Sequence, residues 1–451
     1  MKKLISICLV LIICLSFSAC DFSINTVDTL MRPPKLSGEN NLLQLAFEGS
    51  LENPETVIMK NPINGDNRSS FLFYDVDGDK VEEGFAFYSD PVVSDIAYIS
   101  IFKKTNDGWT LVSNIKGRGE EIYEFDFADI NGDNILEIIV SWTFLSDKEK
   151  SKASFSNISD RVLTIYEYTS DEVALLTIEY FTQMYVDDFN NDKSDELLLL
   201  NINHSNATGN RTTARIISFD EEYSVANDIN LILSSMLNIY NIVTDSVDGH
   251  TRIFIDGAIN ENTLITEVID ICHEGFLTTL PLYETNTSIN PLTLRSLQVL
   301  SLDIDNDGIV EIPTYENMAN SFDVTNGTDD SIPMPLTVWS EINENELTVD
   351  FKCMYNISYN YFYEMPSEWI DKVYVTYNSE NSTLTFLNLD SNDSAGSEII
   401  SFRVFNVNEW KEYSGEYAKF NEDGIFVYAY KIDNSSDHNE ALLLKNFVIV
   451  N

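Results

Sequence analysis

The chain has few cysteines, and their positions argue against a fold built on disulfides. Of five Cys in 451 residues, Cys8 and Cys14 lie in an apolar N-terminal segment and Cys20 follows it directly. Only Cys272 and Cys353 remain, and two thiols are not a disulfide framework. We expect each to be a small buried apolar residue. Because no Cys-x-x-Cys pair occurs, zinc sites of that kind are excluded.

Positive charge is also scarce. Lys and Arg number 27 against 73 Asp and Glu, which gives a formal net charge of −46 at pH 7. A field of this sign repels nucleic acid, so we expect no nucleic-acid partner. It favours divalent ions and cationic partners, although solubility at a crowded or saline cell surface explains the charge equally well.

Recognisable catalytic patterns are missing. No Gly-x-Ser-x-Gly, P-loop or Gly-x-Gly-x-x-Gly is present, and no pair of histidines has metal-ligand spacing. The four histidines are therefore interpreted as solvated loop residues: His204, His250, His273 and His438. An enzyme whose site assembles from several loops is not excluded by these absences.

Long hydrophobic runs are limited to the N-terminus. A basic start, an apolar run too short to span a membrane and small residues before Cys20 predict a signal peptide over 1–19. The residues before Cys20 resemble a bacterial lipobox, which implies lipidation at Cys20. Residues 20–38 are then a tether, and the protein is extracytoplasmic and lipid-anchored to the bacterial cell membrane. The alternative is plain secretion with a free thiol.

The chain contains four copies of an acidic motif of nine residues. The copies span 75–83, 129–137, 188–196 and 303–311, and are named loops 1 to 4. Each places side-chain oxygens at positions 1, 3, 5 and 9, which is a ligand set for a hard cation, and calcium is the natural occupant. These side chains are Asp75, Asp77, Asp79, Glu83, Asp129, Asn131, Asp133, Glu137, Asp188, Asn190, Asp192, Glu196, Asp303, Asp305, Asp307 and Glu311.

The loops recur with a period. Their starts are separated by 54, 59 and 115 residues, and the last interval is close to twice the others. The missing copy falls near Asp245, where the ligand positions hold Val247, Gly249 and Ile253. That unit retains its strands and has lost its ligands.

The strand content of each unit predicts the fold. About four short runs rich in β-branched and aromatic residues occur per unit, which favours a mainly β fold, a β-propeller of four-stranded blades. Five blades are countable over 61–353, and up to seven are compatible with the length. A short helix and lead-in precede them over 39–60. Residues 354–451 are predicted to form a small C-terminal α+β module, the alternative being further blades.

The loops have two other interpretations, an EF-hand and a metal-free turn. An EF-hand needs Glu at position 12, where this chain has Ala86, Val140, Leu199 and Thr314. EF-hand loops also lead into a helix, whereas these lead into apolar runs typical of strands. Metal-free acidic β-turns are the remaining alternative.

The motif between two strands resembles the calcium loops of VCBS and FG-GAP repeats, which build integrin-type propellers. The Phe-Gly-Gly-Ala-Pro element that names one branch is absent, so the VCBS-like branch fits better. The resemblance covers about 60–350 and implies up to four Ca²⁺ ions. It also implies backbone carbonyl ligands from Val81, Ile135, Ser194 and Ile309.

Every patterned carboxylate cluster is explained by cation ligation. We therefore expect a monomeric, non-enzymatic binding module for a protein or glycan at the cell surface. A carbohydrate-active enzyme, glycosidase or lyase, with a site in the central pocket is the first alternative, and a structural or envelope-assembly scaffold is the second.

Overall fold

The structure is a computed structural model that describes residues 38–143, 161–169, 172–203, 211–272, 277–279, 292–296, 299–324, 332–343, 346–390, 394–432 and 440–450. The predicted signal peptide, the lipidation site Cys20 and the tether up to residue 37 lie outside these residues. Within them, no helix is long and apolar enough to cross a membrane.

The described chain begins with a helix that covers the first sheet. Helix α1 spans Glu39–Ser50, and a short 3₁₀ helix follows at Pro54–Thr56. Leu43 and Phe47 are buried against the strands of the first sheet, whereas Leu42 and Leu45 on the other side are more than half exposed. The amphipathic pattern of the helix therefore buries one apolar stripe.

Four antiparallel sheets follow in chain order. Sheet 1 contains β1 (Ile58–Met59), β2 (Phe71–Tyr74), β3 (Glu83–Asp90), β4 (Ser94–Thr105) and β5 (Gly108–Lys116). Sheet 2 contains β6 (Glu121–Ala128), β7 (Glu137–Thr143), β8 (Arg161–Thr169) and β9 (Glu172–Phe181). Sheet 3 contains β10 (Gln183–Asp187), β11 (Glu196–Asn203), β12 (Arg211–Phe219) and β13 (Val225–Leu233). Sheet 4 contains β14 (Asn238–Val247), β15 (His250–Asn260), β16 (Thr263–Cys272) and β17 (Leu277–Thr279).

Each sheet packs face to face on the next. Phe85 and Phe87 of sheet 1 contact Phe125 of sheet 2, with ring centroids 5.3 and 4.7 Å apart. Buried clusters join sheet 2 to sheet 3 and sheet 3 to sheet 4 in the same way. The central strands are buried on both faces, so they read as continuous apolar runs without the alternation of a half-exposed strand. The described chain is thus mainly β, with a propeller-like succession of one five-stranded and three four-stranded sheets.

The fifth sheet departs from the four-stranded blade that the period predicts. It has ten strands: β18 (Ile312–Asp323), β19 (Ile332–Asn343), β20 (Glu346–Asn356), β21 (Tyr361–Glu364), β22 (Val373–Asn378), β23 (Thr383–Leu389), β24 (Ala395–Asn406), β25 (Ala418–Glu422), β26 (Phe426–Ile432) and β27 (Phe447–Ile449). Their order in the sheet is β25-β26-β24-β23-β22-β18-β19-β20-β21-β27.

A long strand explains this wider sheet. After an irregularity between Asn317 and Phe322, the end of β18 pairs in parallel with β22, and an unpaired strand edge is thereby covered. Hydrogen bonds therefore continue across the boundary predicted at residues 353/354. Two short helices, α2 (Val407–Glu412) and α3 (Glu440–Lys445), accompany these C-terminal strands.

Candidate metal centre

All four loops lead into a strand, and three of them connect two consecutive strands. Loops 1, 2 and 3 connect β2 to β3, β6 to β7 and β10 to β11. Loop 4 precedes β18 and is closed by an isolated bridge between Leu302 and Glu311. Position 9 of each loop stands at or next to the first residue of the strand that follows, so its carboxylate is anchored by a regular ladder.

The loop backbone needs two left-handed residues. Positions 4 and 6 have φ between 60° and 92° in every loop: Gly78 and Lys80, Gly132 and Asn134, Asn191 and Lys193, Asn306 and Gly308. Gly and Asn tolerate this conformation best, which explains why position 4 is always one of the two. Loop 3 adopts the same backbone without glycine, so the Asn at position 4 is an adequate substitute.

The four loops share one hydrogen-bond pattern. The position 2 N–H donates to the position 9 carboxylate at 2.9–3.0 Å, and the position 6 N–H donates to the position 1 carboxylate at 2.8–3.0 Å. The position 7 N–H donates to the position 5 carboxylate at 2.7–2.9 Å. Backbone donors thus turn the acidic side chains toward the inside of each loop.

The glutamate at position 9 is the buried member. Glu83, Glu137, Glu196 and Glu311 are 0–4 % exposed. Burial, followed by the neighbouring aspartates, raises the pKa of Glu83 and Glu137 to about 7. The same causes raise the pKa of Glu196 and Glu311 to about 8. A buried carboxylate that is surrounded by like charges needs a cation to be stable in its ionised form.

Buried oxygens without partners test whether the loops fit a cation. Among the described residues, Asp75 Oδ1 and Glu311 Oε1 are buried and accept no hydrogen bond. Oxygens of Asp75, Asp77 and Glu83 lie within 4.8 Å of one another, as do those of Asp303, Asp305 and Glu311. An all-oxygen donor set of this size fits a hard divalent cation.

Loops 2 and 3 satisfy the second oxygen of their glutamate within the protein. The hydroxyl of Tyr223 donates to Glu137 Oε1 at 2.8 Å, and Asn190 Nδ2 donates to Glu196 Oε1 at 2.6 Å. Both loops carry Asn at position 3, and so have one charge fewer than loops 1 and 4. The role of Tyr223 was not predictable from local sequence, because it lies 86 residues from Glu137.

The loops also contact one another along the molecule. The N–H at position 8 of loop 2 donates to the carbonyl of Val76 at 3.1 Å, and the equivalent N–H of loop 3 donates to Asp129 at 2.7 Å. In loop 4 the equivalent donor, Val310 N–H, reaches Asp245 Oδ2 at 3.0 Å. The loops therefore form a row in which each depends on the preceding unit.

The fourth unit pairs its one carboxylate at a ligand position, that of Asp245, with an arginine. A tight hairpin joins β14 to β15, and Arg252 Nε donates to Asp245 Oδ1 at 2.7 Å while Nη2 donates to Oδ2. The two side chains are 7 % and 1 % exposed. The sequence prediction that this unit retains its strands is confirmed, and its remaining carboxylate is neutralised by the chain itself.

The described residues include one histidine and a cavity of moderate size. His250 is half exposed, with Nδ1 2.9 Å from Asp270 Oδ1. His204, His273 and His438 lie outside the described residues. A cavity of about 220 Å³ beside β18–β20 is lined by residues such as Tyr315, Met354 and Tyr361, and no described residue in its lining is acidic or histidine.

Comparisons with known proteins give a weak likeness of fold. No protein-family model matches the chain, and no curated protein matches it. Among solved structures, a levansucrase variant of B. subtilis is 10% identical, with 69% of this chain and 94% of that chain covered and a TM-score of 0.27. An exo-beta-1,3-galactanase from Phanerochaete chrysosporium is 9% identical, with 80% of this chain and 82% of that chain covered and a TM-score of 0.26. An alpha-L-arabinofuranosidase from Lactobacillus brevis is 10% identical, with 64% of this chain and 92% of that chain covered and a TM-score of 0.26. Scores this low transfer no activity, and the description of the fold rests on the sheets themselves.

Proposed function

We propose that the chain is a calcium-stabilised, propeller-like module of the VCBS and FG-GAP type that acts as a non-enzymatic binding protein outside the cell. The observation that supports this is the common geometry of the four loops. Each aims its acidic side chains inward with backbone donors and buries the position 9 glutamate. Four unrelated acidic turns would have no reason to share every one of these contacts.

Calcium is proposed over other ions because of the donor set. The loops offer carboxylate, amide and carbonyl oxygens, whereas zinc prefers His and Cys. Magnesium requires a small and nearly ideal octahedron, and it keeps several of its waters. Loops with three or four like charges and flexible carboxylates suit the larger ion. The carbonyls of Val81, Ile135, Ser194 and Ile309 complete the proposed ligand sets.

Metal content and stability test this proposal together. The mature chain purified in calcium should contain at least one calcium per loop by elemental analysis, and its melting temperature should fall in EDTA and recover with calcium. The matched control is a variant with the exposed glutamate Glu55→Gln, which should behave as the wild type does. A chain without calcium whose melting curve ignores EDTA would contradict the proposal.

The location proposed is the outer side of a bacterial membrane, with Cys20 carrying the lipid. Cys20→Ala should release the chain from the membrane fraction, and growth with an alkyne-tagged fatty acid should label the wild type alone. A partner, protein or glycan, is to be sought with the soluble mature chain on a glycan array and by pull-down, each in calcium and in EDTA. Binding that persists unchanged in EDTA would separate the partner surface from the loops.

A carbohydrate-active enzyme is the second candidate. The observation in its favour is that four buried glutamates have a pKa raised to about 7 or 8, which is the range of a general acid. In glycosidases such an acid faces a second carboxylate across the scissile bond. Hydrolysis of a panel of polysaccharides that is lost in Glu→Gln variants with unchanged calcium content would establish this alternative over the first.

A further inference from the structure

The geometry points to a second divalent-cation site beside loop 4, formed by Glu311, Glu341 and Asp350. It shares Glu311 with the calcium site proposed for the loop and so rests on that proposed function. The ligands come from three places in the fold: the end of loop 4, strand β19 and strand β20.

The three side chains lie close enough to hold one ion. Carboxylate oxygens of Glu311, Glu341 and Asp350 are all within 4.8 Å of one another. Calcium binds oxygens at about 2.3–2.6 Å, so two ligands of one ion are separated by at most about 5 Å. Glu341 is half-buried and Asp350 is exposed, which leaves one side of the site open for water ligands.

One member of this group, Glu311, has a buried oxygen without a hydrogen-bond partner. Glu311 is 0 % exposed, and its Oε2 accepts the N–H of Ile304 at 2.9 Å. Among the described residues, its Oε1 has no hydrogen-bond partner. The corresponding oxygen receives Tyr223 in loop 2 and Asn190 in loop 3, so loop 4 lacks a donor that two other loops have.

Strand register explains how the two additional carboxylates reach Glu311. Ile312 pairs with Ser340, so Glu341 stands opposite Glu311 one residue further along. The pairing of β19 with β20 shifts between Trp339 and Ser340, and this β-bulge leaves Asp350 as the extra residue. A bulge redirects one side chain, here toward the end of the sheet that carries the loop.

None of the other loop-bearing units has carboxylates at both of these positions. Register places Lys103, Glu167 and Ser218 opposite the position 9 glutamate in units 1, 2 and 3. The bulge residue of sheets 1 and 2 is Val112 and Leu176. Unit 5, the unit that carries loop 4, is the only one of these four units with a carboxylate at both positions. Unit 1 has a lysine, Lys103, at the first of them.

Charge favours two ions over one. Loop 4 has four carboxylates, and Glu341 and Asp350 bring the total to six. Loop 1 has four carboxylates, so one calcium there leaves two negative charges in excess. Two calcium ions at loop 4 leave the same excess, whereas one would leave four. Charges packed within a few ångströms in a partly buried site make that larger excess unfavourable.

The test is the calcium stoichiometry of the full mature chain after removal of metal, measured by equilibrium dialysis and by calorimetric titration with Ca²⁺ alone. The wild-type chain should bind five ions, one per loop and one at this site. Glu341→Gln with Asp350→Asn should lower the number to four and leave the stabilisation by the other ions in place. The matched control is Glu346→Gln with Glu380→Gln, which removes two exposed carboxylates and should bind as the wild type does. Glu341→Lys, which copies Lys103 of unit 1, should also lose one ion and should be the least sensitive to EDTA.

Three outcomes separate the proposals. An unchanged stoichiometry with weaker binding would show that Glu341 and Asp350 serve the loop 4 ion, and would overturn the second site. An unchanged stoichiometry and affinity would also overturn the second site, and would leave the calcium sites proposed for the four loops unaffected. A wild-type chain that binds no calcium at all would instead overturn the proposed function. A folded double variant is verified by its circular dichroism and its melting transition in calcium.

Discussion

Unit 4, which contains Asp245, and the units that carry loops all place carboxylates at the same point in the fold. They differ in what faces those carboxylates. In unit 4, Asp245 is buried and Arg252 neutralises it with two hydrogen bonds from inside the chain. In the units with loops, the buried carboxylates face further carboxylates. An internal cation makes the unit self-sufficient, whereas an acidic loop makes the stability of its unit depend on the medium.

Unit 4 and the loops both accept a hydrogen bond from the same backbone N–H of the next unit, although the accepting group differs. Val310 N–H donates to the carboxylate of Asp245, whereas the position 8 N–H of loops 2 and 3 donates to a backbone carbonyl of the preceding loop. The row of loops therefore runs through unit 4 without interruption. A unit without the acidic ligand set is compatible with the fold because Arg252 neutralises its buried carboxylate.

Removal of calcium should separate the two kinds of unit most strongly. Each occupied loop is expected to contribute about 2.7 kcal/mol when free calcium is 100 times its Kd, so four loops contribute about 11 kcal/mol together. Hydrogen exchange measured in calcium and in EDTA should show loss of protection for 75–83, 129–137, 188–196 and 303–311. Amides of the 245–252 hairpin should change least. Equal loss of protection in the hairpin would break the comparison.

Removal of the internal cation should have the next largest effect. Arg252→Met leaves Asp245 buried without its partner, and breaking such a pair costs about 3–5 kcal/mol. The loss in the free energy of unfolding, measured by urea denaturation, should be similar in calcium and in EDTA. The double variant Arg252→Met with Asp245→Asn is the control and should recover part of the loss, since Asn still accepts from Val310. A loss that appears only in EDTA would show that unit 4 is coupled to the ions.

Much of this comparison was predictable from sequence, because the residues that define each loop are all within nine consecutive positions. Ligand oxygens at fixed spacing and Gly or Asn at position 4 identify the loop, and the period locates the unit near Asp245 that lacks it. The partner of Asp245 was less visible, since Arg252 lies seven residues away on the returning strand. Recognition of the pair requires the hairpin register.

Contacts made through distant strands were not predictable. Glu341 and Asp350 approach Glu311 through a strand register and a β-bulge, and neither leaves a local pattern. The ten-stranded sheet depends on a parallel pairing of β18 with β22 across more than fifty residues. Alternation and turn residues predict that strands exist, whereas the choice of partner depends on the packing of the whole chain.

The pH dependence of the metal-free chain should distinguish acidic loops from an internal ion pair. Folding raises the pKa of the position 9 glutamates from 4.5 to about 7 or 8. Between these values the folded chain binds more protons than the unfolded chain, so the free energy of unfolding in EDTA should fall as the pH rises from about 5 to 8. In saturating calcium this slope should be much reduced, because the ion replaces the proton. Glu83→Gln should flatten part of the slope in EDTA, and a metal-free chain that gains stability toward pH 8 would contradict the assignment.

The smallest effect concerns Tyr223, which places loop 2 between the two extremes. Its hydroxyl gives Glu137 Oε1 a neutral donor, weaker than Arg252 and yet present without any ion. Tyr223→Phe removes only this hydrogen bond, so it should cost about 1 kcal/mol in EDTA. In calcium the cost should be smaller if the ion takes over the same oxygen. Thermal denaturation in both media measures the difference, with Tyr240→Phe as a control at an exposed tyrosine. An equal cost in both media would mean that the hydroxyl and the ion bind different oxygens of Glu137, and loop 2 would then resemble unit 4 more closely than loop 4.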